Sequence, residues 1–122
     1  MASAVLALRG ATTIDEDTPD QVRSRTVALL DAMLAANEIS HDDLISVIFT
    51  ATDDIHSMFP ALAGRENGLS DVPLICAREL EIIGAKPRCI RILMHVNTER
   101  ARADLHHIYL EGAADLRDDL PA

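Results

Sequence analysis

The sequence predicts a single α+β domain in which a sheet of several strands is covered on one face by a long helix. Three observations carry this reading. A capped apolar stripe runs from Thr18 to Asn37, branched apolar segments stand before and after it, and 122 residues suffice for one core but not two. The order is strand, helix, strand, short helix, then further strands. One long helix covers one face of such a sheet, and a chain this short has little left for the other. Oligomerisation is the economical way to cover it.

Ala4 to Leu8 reads as a short buried strand ending at Arg9-Gly10-Ala11-Thr12-Thr13, where Gly10 lets the backbone turn or come close to a neighbour. Thr18 can cap the helix, Pro19 suits its first position, and Gln21 completes a capping box. Val22, Leu29, Leu30, Met33 and Leu34 form its apolar stripe. Ser40-His41-Asp42-Asp43 is a second capped turn, and Leu44 to Ala51, apolar on both faces, suits a central strand. A loop from His56 enters a short helix after Pro60, and Asn67-Gly68 marks a turn. In Val72 to Cys76, Pro73 argues for an edge strand. Leu105 to Leu110 returns to a strand, followed by an acidic tail in which only Arg117 is basic.

The informative stretch is Arg88 to Val96. With a period of two, Ile90, Ile92, Met94 and Val96 make a core face, leaving Cys89, Arg91, Leu93 and His95 opposite. A guanidinium among apolar neighbours needs an anionic partner, because an unpaired buried charge costs several kcal/mol or more. That partner is a protein carboxylate or a ligand's. Glu79 could be the internal partner, a general base, or an acceptor for a substrate hydroxyl.

Composition excludes several classes of function. Aromatics make up only 2% of the chain, so the core is built from Leu, Ile, Val, Ala and Met. A net charge of -9 argues against nucleic acid and anionic membranes as partners, but leaves room for a small anion where arginines gather. Cys76 and Cys89 form no metal motif and are expected as reduced thiols. The five histidines show no ligand spacing, and on adjacent strand positions His106 and His107 would face opposite ways. No metal or cofactor is expected. The apolar start lacks a basic n-region, and no run reaches the roughly 18 apolar residues of a membrane span, which predicts a cytoplasmic protein. The residues alone lead to an oligomeric, anion-binding α+β domain.

Several segments together carry a resemblance along nearly the whole chain. They are Arg9 to Thr13, Ala51 to His56 with Phe59-Pro60-Ala61, Val72 to Cys76 with Glu79, Cys89-Ile90-Arg91, His107 to Glu111, and Leu116 to Leu120. In order and spacing they resemble the monofunctional chorismate mutases of the trimeric pseudo-α/β-barrel class. The resemblance implies a mixed sheet assembled as a homotrimeric barrel, with clefts between subunits that convert chorismate to prephenate on the way to phenylalanine and tyrosine. It implies Arg91, Glu79 and Arg9 as catalytic residues. It gives the substrate surface as Arg9, Cys76, Glu79, Arg91 and Tyr109 from one subunit and Phe59, Ala61 and Arg65 from the neighbour, with Leu74 and Ile75 beside them. Leu116 and Arg117 would belong to a mobile tail, from about residue 112, that closes over the ligand. The chain departs from the pattern at Leu62, where a basic residue is expected, and the loop between Arg65 and Val72 is one residue short.

Two competing functions follow from the same sequence. A trimeric binding or regulatory protein would keep the fold without turnover, yet Arg91, Glu79 and Tyr109 are all retained. A small hydrolase or deaminase would need an activated water or nucleophile. Ser57 has no nucleophile-elbow glycines, and Cys76 has no activating cue.

Overall fold

A computed structural model describes residues 3–119, with side chains through residue 116. Strand β1 (Ala4–Thr13) leads into helix α1 (Pro19–Ala36), then strand β2 (Leu44–Ala51), helix α2 (Pro60–Gly64) and strands β3 (Leu74–Arg78), β4 (Cys89–Thr98) and β5 (Ile108–Tyr109). Tight helical turns at His41–Asp43, Arg65–Leu69 and Arg102–Asp104 fill connections, and Glu111–Asp119 is a 3-10 segment. The sheet order is β3-β2-β4-β1-β5. Strand β4 runs antiparallel to both β1 and β2, whereas β2–β3 and β1–β5 are parallel. The sheet is therefore mixed, with the Arg91 strand at its centre.

Helix α1 starts where expected, since Thr18 Oγ1 accepts from the Gln21 N–H at 3.2 Å and Pro19 occupies the first turn. Gln21 does not close a capping box. The Thr18 N–H is already bonded to the Glu16 carbonyl at 2.9 Å, so Gln21 Oε1 instead accepts from the N–H groups of Asp15 and Glu16 at 2.7 and 3.1 Å. At the second turn the reciprocal contact forms, Ser40 N–H donating to Asp43 Oδ2 at 3.1 Å. The stripe Val22, Thr26, Leu29, Leu30 and Met33 is fully buried. Its apolar members Leu29, Leu30 and Met33 pack with Leu8, Val47, Phe49, Ile92, Met94 and Val96. Each large side chain buried there contributes about 1.5–3 kcal/mol.

Strand β1 does not end at Arg9. Its pairing with β4 continues from Gly10↔Ile92 to Thr13↔Cys89, so Arg9 lies mid-strand. Gly10 is a point of close approach and not a turn. A Cβ there would lie 2.6 Å from Met33 Sδ and 3.0 Å from Leu29 Cδ1. Strand β5 is shorter than predicted, for a reason at the other end of α1. The buried Asn37 donates from Nδ2 to the carbonyls of Met33 and His106 at 2.8 and 2.9 Å and accepts from the His106 N–H at 2.7 Å. This clamp turns Leu105 into the core and removes His106 and His107 from the sheet. Pro73 precedes an edge strand, as its missing N–H requires, and its carbonyl accepts from Val47 N–H at 3.0 Å.

The second face of the sheet is largely open. Val5 and Ile75 are more than half exposed, and Leu80, Ile82 and Ile83 stand in solvent beyond β3. Among the described residues it is covered at one end, where the segment after β5 packs Ala113 and Leu116 on Ala11 and Cys89. Gly112 N–H donates to Thr13 Oγ1 there at 2.9 Å. Strand β2 is interior, as predicted, but not apolar on both sides. Its open face carries the hydroxyls of Ser46 and Thr50, each across from a polar residue of β4. Substituting Gly10→Ala should overpack the α1–sheet contact and destabilise the chain by about 1–3 kcal/mol. A urea unfolding midpoint unchanged from wild type would contradict that contact.

Candidate active site

The centre of the open face is built by register. Arg91 lies across from Ala11 on one side and Thr50 on the other, and Tyr109 continues the same row beyond Ala11. Arg9 sits two pairs along on β1, opposite Leu93 and on the same face. Glu79 follows β3, and its N–H donates to the Ala51 carbonyl at 3.0 Å, which brings its carboxylate over Thr50. Arg9, Gly10, Thr50, Glu79, Arg91, Ile92, Leu93 and Tyr109 thus line a depression of about 210 Å³. Ligand pockets usually enclose about 300–1,000 Å³. The depression lies below that range.

The expected partner of Arg91 is present, but the pair is loose. Arg91 Nε stands 3.6 Å from Glu79 Oε2, and the Arg91 side chain is 43% exposed. It is not the deeply buried charge that its apolar neighbours suggested, because the open face lets it reach the depression. Nε itself is buried and forms no hydrogen bond. Glu79 Oε2 accepts instead from Thr50 Oγ1. Arg9 is held through its main chain, whose N–H donates to His107 Nδ1 at 3.0 Å. The imidazole stands in for the strand carbonyl that the shortened β5 does not offer. Burial, reinforced by the Arg9 charge, lowers the His107 pKa from 6.5 and keeps Nδ1 unprotonated to accept.

The remaining candidate residues gather elsewhere. Leu62, Phe59 and Cys76 line a larger cleft of about 510 Å³ with Asp53, His56, Met58 and Arg78. Cys76 shares the face of β3 that meets α2, where its Sγ accepts from the Ala61 N–H at 3.3 Å. It therefore lies with Phe59 and Ala61 and not with Glu79. Burial pushes the Cys76 thiol up, while the Ala61 N–H and the Arg65 charge pull the other way. Such a sulfur is a poor nucleophile. Leu74 belongs to the core beneath α2, whereas Ile75 points to the open face. Leu116 packs beside Tyr109 at the covered end. The Arg117 side chain lies outside the described residues. Among those residues, no group of His, Cys, Asp and Glu could hold a metal. No helix among them is long and apolar enough to cross a membrane.

Residues 5–120 match the family model for chorismate mutase type I. The chain belongs to the type I chorismate mutase family. Chorismate mutase AroH of Thermus thermophilus is 46% identical over 117 residues, spanning 95% of this chain and 96% of the relative. The Bacillus subtilis AroH is 36% identical over 117 residues, with 95% and 92% covered. A solved chorismate mutase from Clostridium thermocellum superimposes with a TM-score of 0.87 at 42% identity, covering 88% of this chain and 96% of that one. The mixed sheet and its long covering helix are thus the fold of this family of isomerases.

Asp17 was not a candidate on sequence, yet it fixes the loop of this mutase that carries Phe59. Its carboxylate accepts from His56 N–H at 2.8 Å, Ser57 N–H at 3.1 Å and Ser57 Oγ at 2.6 Å. The Ser57 hydroxyl, then the two N–H groups and the His56 charge, lower the Asp17 pKa from 3.8 against a smaller opposing effect of burial. A lowered carboxylate pKa adds stability above its unfolded value, and that stability is lost as pH falls through the folded value. Asp17→Asn mimics the protonated group. Its thermal midpoint should lie below wild type at pH 7, and the two should converge under acid conditions below the ordinary aspartate pKa. A gap that stays constant with pH would contradict the tether.

Proposed function

We propose that this chorismate mutase rearranges chorismate to prephenate at the Arg91 depression, in a site completed by the neighbouring subunit of a homotrimer. The observation that carries the reading is Arg91 beside Glu79, Arg9 and Tyr109 on a sheet face that the chain's own helices leave open. The depression and the Phe59–Cys76 cleft are two partial surfaces, and assembly about a threefold axis would let one chain's depression face another chain's cleft. The exposed Val5, Ile75, Leu80, Ile82 and Ile83 supply apolar area for that contact.

The Claisen rearrangement moves no proton and needs no covalent intermediate. Catalysis must come from holding the flexible dicarboxylate in its compact conformer and from stabilising charge as the ether C–O bond breaks. A rate enhancement of about 10⁶ needs roughly 8 kcal/mol from the two together. In our reading Arg91 donates to the ether oxygen, which gains negative charge only on the way to the transition state. Arg9 and Tyr109 grip a carboxylate. Glu79 accepts from the ring hydroxyl and faces the cationic half of the separating molecule. Arg65 and Arg117 add positive potential, Phe59, Ala61 and Cys76 shape the opposite wall, Ile75 borders the site on the open face with Leu74 behind it in the core, and the tail with Leu116 and Arg117 closes over the ligand. With Leu62 in place of a basic residue, the cleft mouth has one cation fewer. The enzyme works in the cytoplasm without a cofactor, on a step toward phenylalanine and tyrosine. Retention of Arg91 together with Glu79 and Tyr109 favours this reading over a binding protein without turnover.

The decisive assay follows chorismate by its ultraviolet absorbance. Wild type should consume it with a turnover number nearly flat around neutral pH, since no acid or base titrates in the step. Arg91→Lys should lose several kcal/mol of transition-state stabilisation, because lysine lacks the planar fork of donors. Near-normal turnover in that variant would remove Arg91 from the mechanism.

A further inference from the structure

We propose that Thr50 is a positioning residue whose hydroxyl holds the Glu79 carboxylate back from a closed ion pair with Arg91, so that both side chains stay available to the ligand. This rests on the roles given above to Glu79 and Arg91.

Three observations converge on Thr50. It is the direct cross-strand partner of Arg91 on the open face. Its Oγ1 donates to Glu79 Oε2. That same oxygen lies 3.6 Å from Arg91 Nε, beyond the usual range of about 2.7–3.2 Å for such a bond. Nε is buried without a hydrogen-bond partner, so the guanidinium has a donor that the protein leaves unused.

Glu79 has limited freedom to do otherwise. Its N–H is fixed to the Ala51 carbonyl at 3.0 Å, so the carboxylate moves only about its side-chain torsions, between Thr50 on β2 and Arg91 on β4. A carboxylate and a guanidinium left to themselves make a short, often bidentate pair, stronger than a bond to a neutral hydroxyl. The closed pair would occupy the Arg91 donors that the ether oxygen needs and the Glu79 oxygens that a substrate hydroxyl needs. A hydroxyl on a β-branched side chain is suited to prevent this, because its χ1 is stiff and its position on the strand is fixed. Thr50 thus keeps opposite charges close enough to orient each other and too far apart to neutralise each other.

The test compares Thr50→Val, which keeps the shape and removes the hydroxyl, with Thr50→Ser, which keeps the hydroxyl. Each is made in wild type and in Glu79→Gln, with chorismate consumption as the assay and circular dichroism as the check on folding. Thr50→Val should lower kcat about tenfold or more, the size expected for a lost hydrogen bond to a charged group, with a smaller change in KM. Thr50→Ser should restore most of the rate. In the Glu79→Gln background, removing the hydroxyl should have no further effect, since the group it positions is gone. If Thr50→Val does not fold, Thr50→Ala takes its place in the same comparison.

Wild-type kcat in Thr50→Val, no rescue by serine, or a full additional loss in the Glu79→Gln background would overturn the inference while leaving Glu79 in its role. Near-normal turnover in Glu79→Gln alone would instead remove Glu79 from the mechanism, and the inference with it.

Discussion

A charged guanidinium on an apolar sheet face is useful only if it is neither fully buried nor fully paired, and the structure meets both conditions at Arg91. Burial in a low-dielectric core would demand a tight partner, and a tight partner would leave nothing for a ligand. Arg91 escapes the first demand because β4 is central while its second face is open. It escapes the second because Glu79 Oε2 is engaged by Thr50 and stands 3.6 Å from Nε. The other candidate groups are arranged by the same strand register: Tyr109 in its row, Arg9 two pairs along, and Glu79 just past the end of β3.

The fold delivers this by making one face very tight and leaving the other unfinished. On the helix side, Gly10 admits α1 to the sheet, and Gly64, whose Cβ would lie 2.9 Å from Phe49 Cζ, does the same for α2. The rigid inner face fixes the strands, and through them the spacing of the polar row outside. On the open face the chain supplies only a shallow depression and, on the far side of β3, a separate cleft. The division of Cys76, Phe59 and Ala61 from Arg91 and Glu79 has a simple cause. Successive residues of β3 and its extension point to opposite faces, so Cys76 and Glu79, three positions apart, cannot share one.

Much of this was legible in the sequence because it rests on periodicity. The helix from Pro19, the core face of Ile90, Ile92, Met94 and Val96, and the edge position implied by Pro73 all follow from local rules. What was missed depends on distant partners. Pairing with β4 carries β1 past Arg9, and the buried amide of Asn37 shortens β5 by bonding residue 106. Asp17 and Ser57 are 40 residues apart, and no local pattern joins them. Thr50 did leave a signal. In Leu44 to Ala51, Ser46 and Thr50 alternate onto the face opposite Val47 and Phe49, so a period-two reading marks two hydroxyls on a strand otherwise apolar. The capping box at Gln21 failed for a different reason, since the donor it needed was already bonded.

In the proposed assembly the Arg91 depression of one chain works with the Phe59–Cys76 cleft of another. This is tested most directly by mixing two inactive variants, Arg91→Ala and a cleft-filling Cys76→Phe, after reversible dissociation. In the proposed homotrimer, mixed assemblies would contain sites with both walls intact, so random reassembly of equal amounts should restore about one quarter of wild-type turnover. Activity no greater than that of the two variants assayed separately would contradict a site shared between chains.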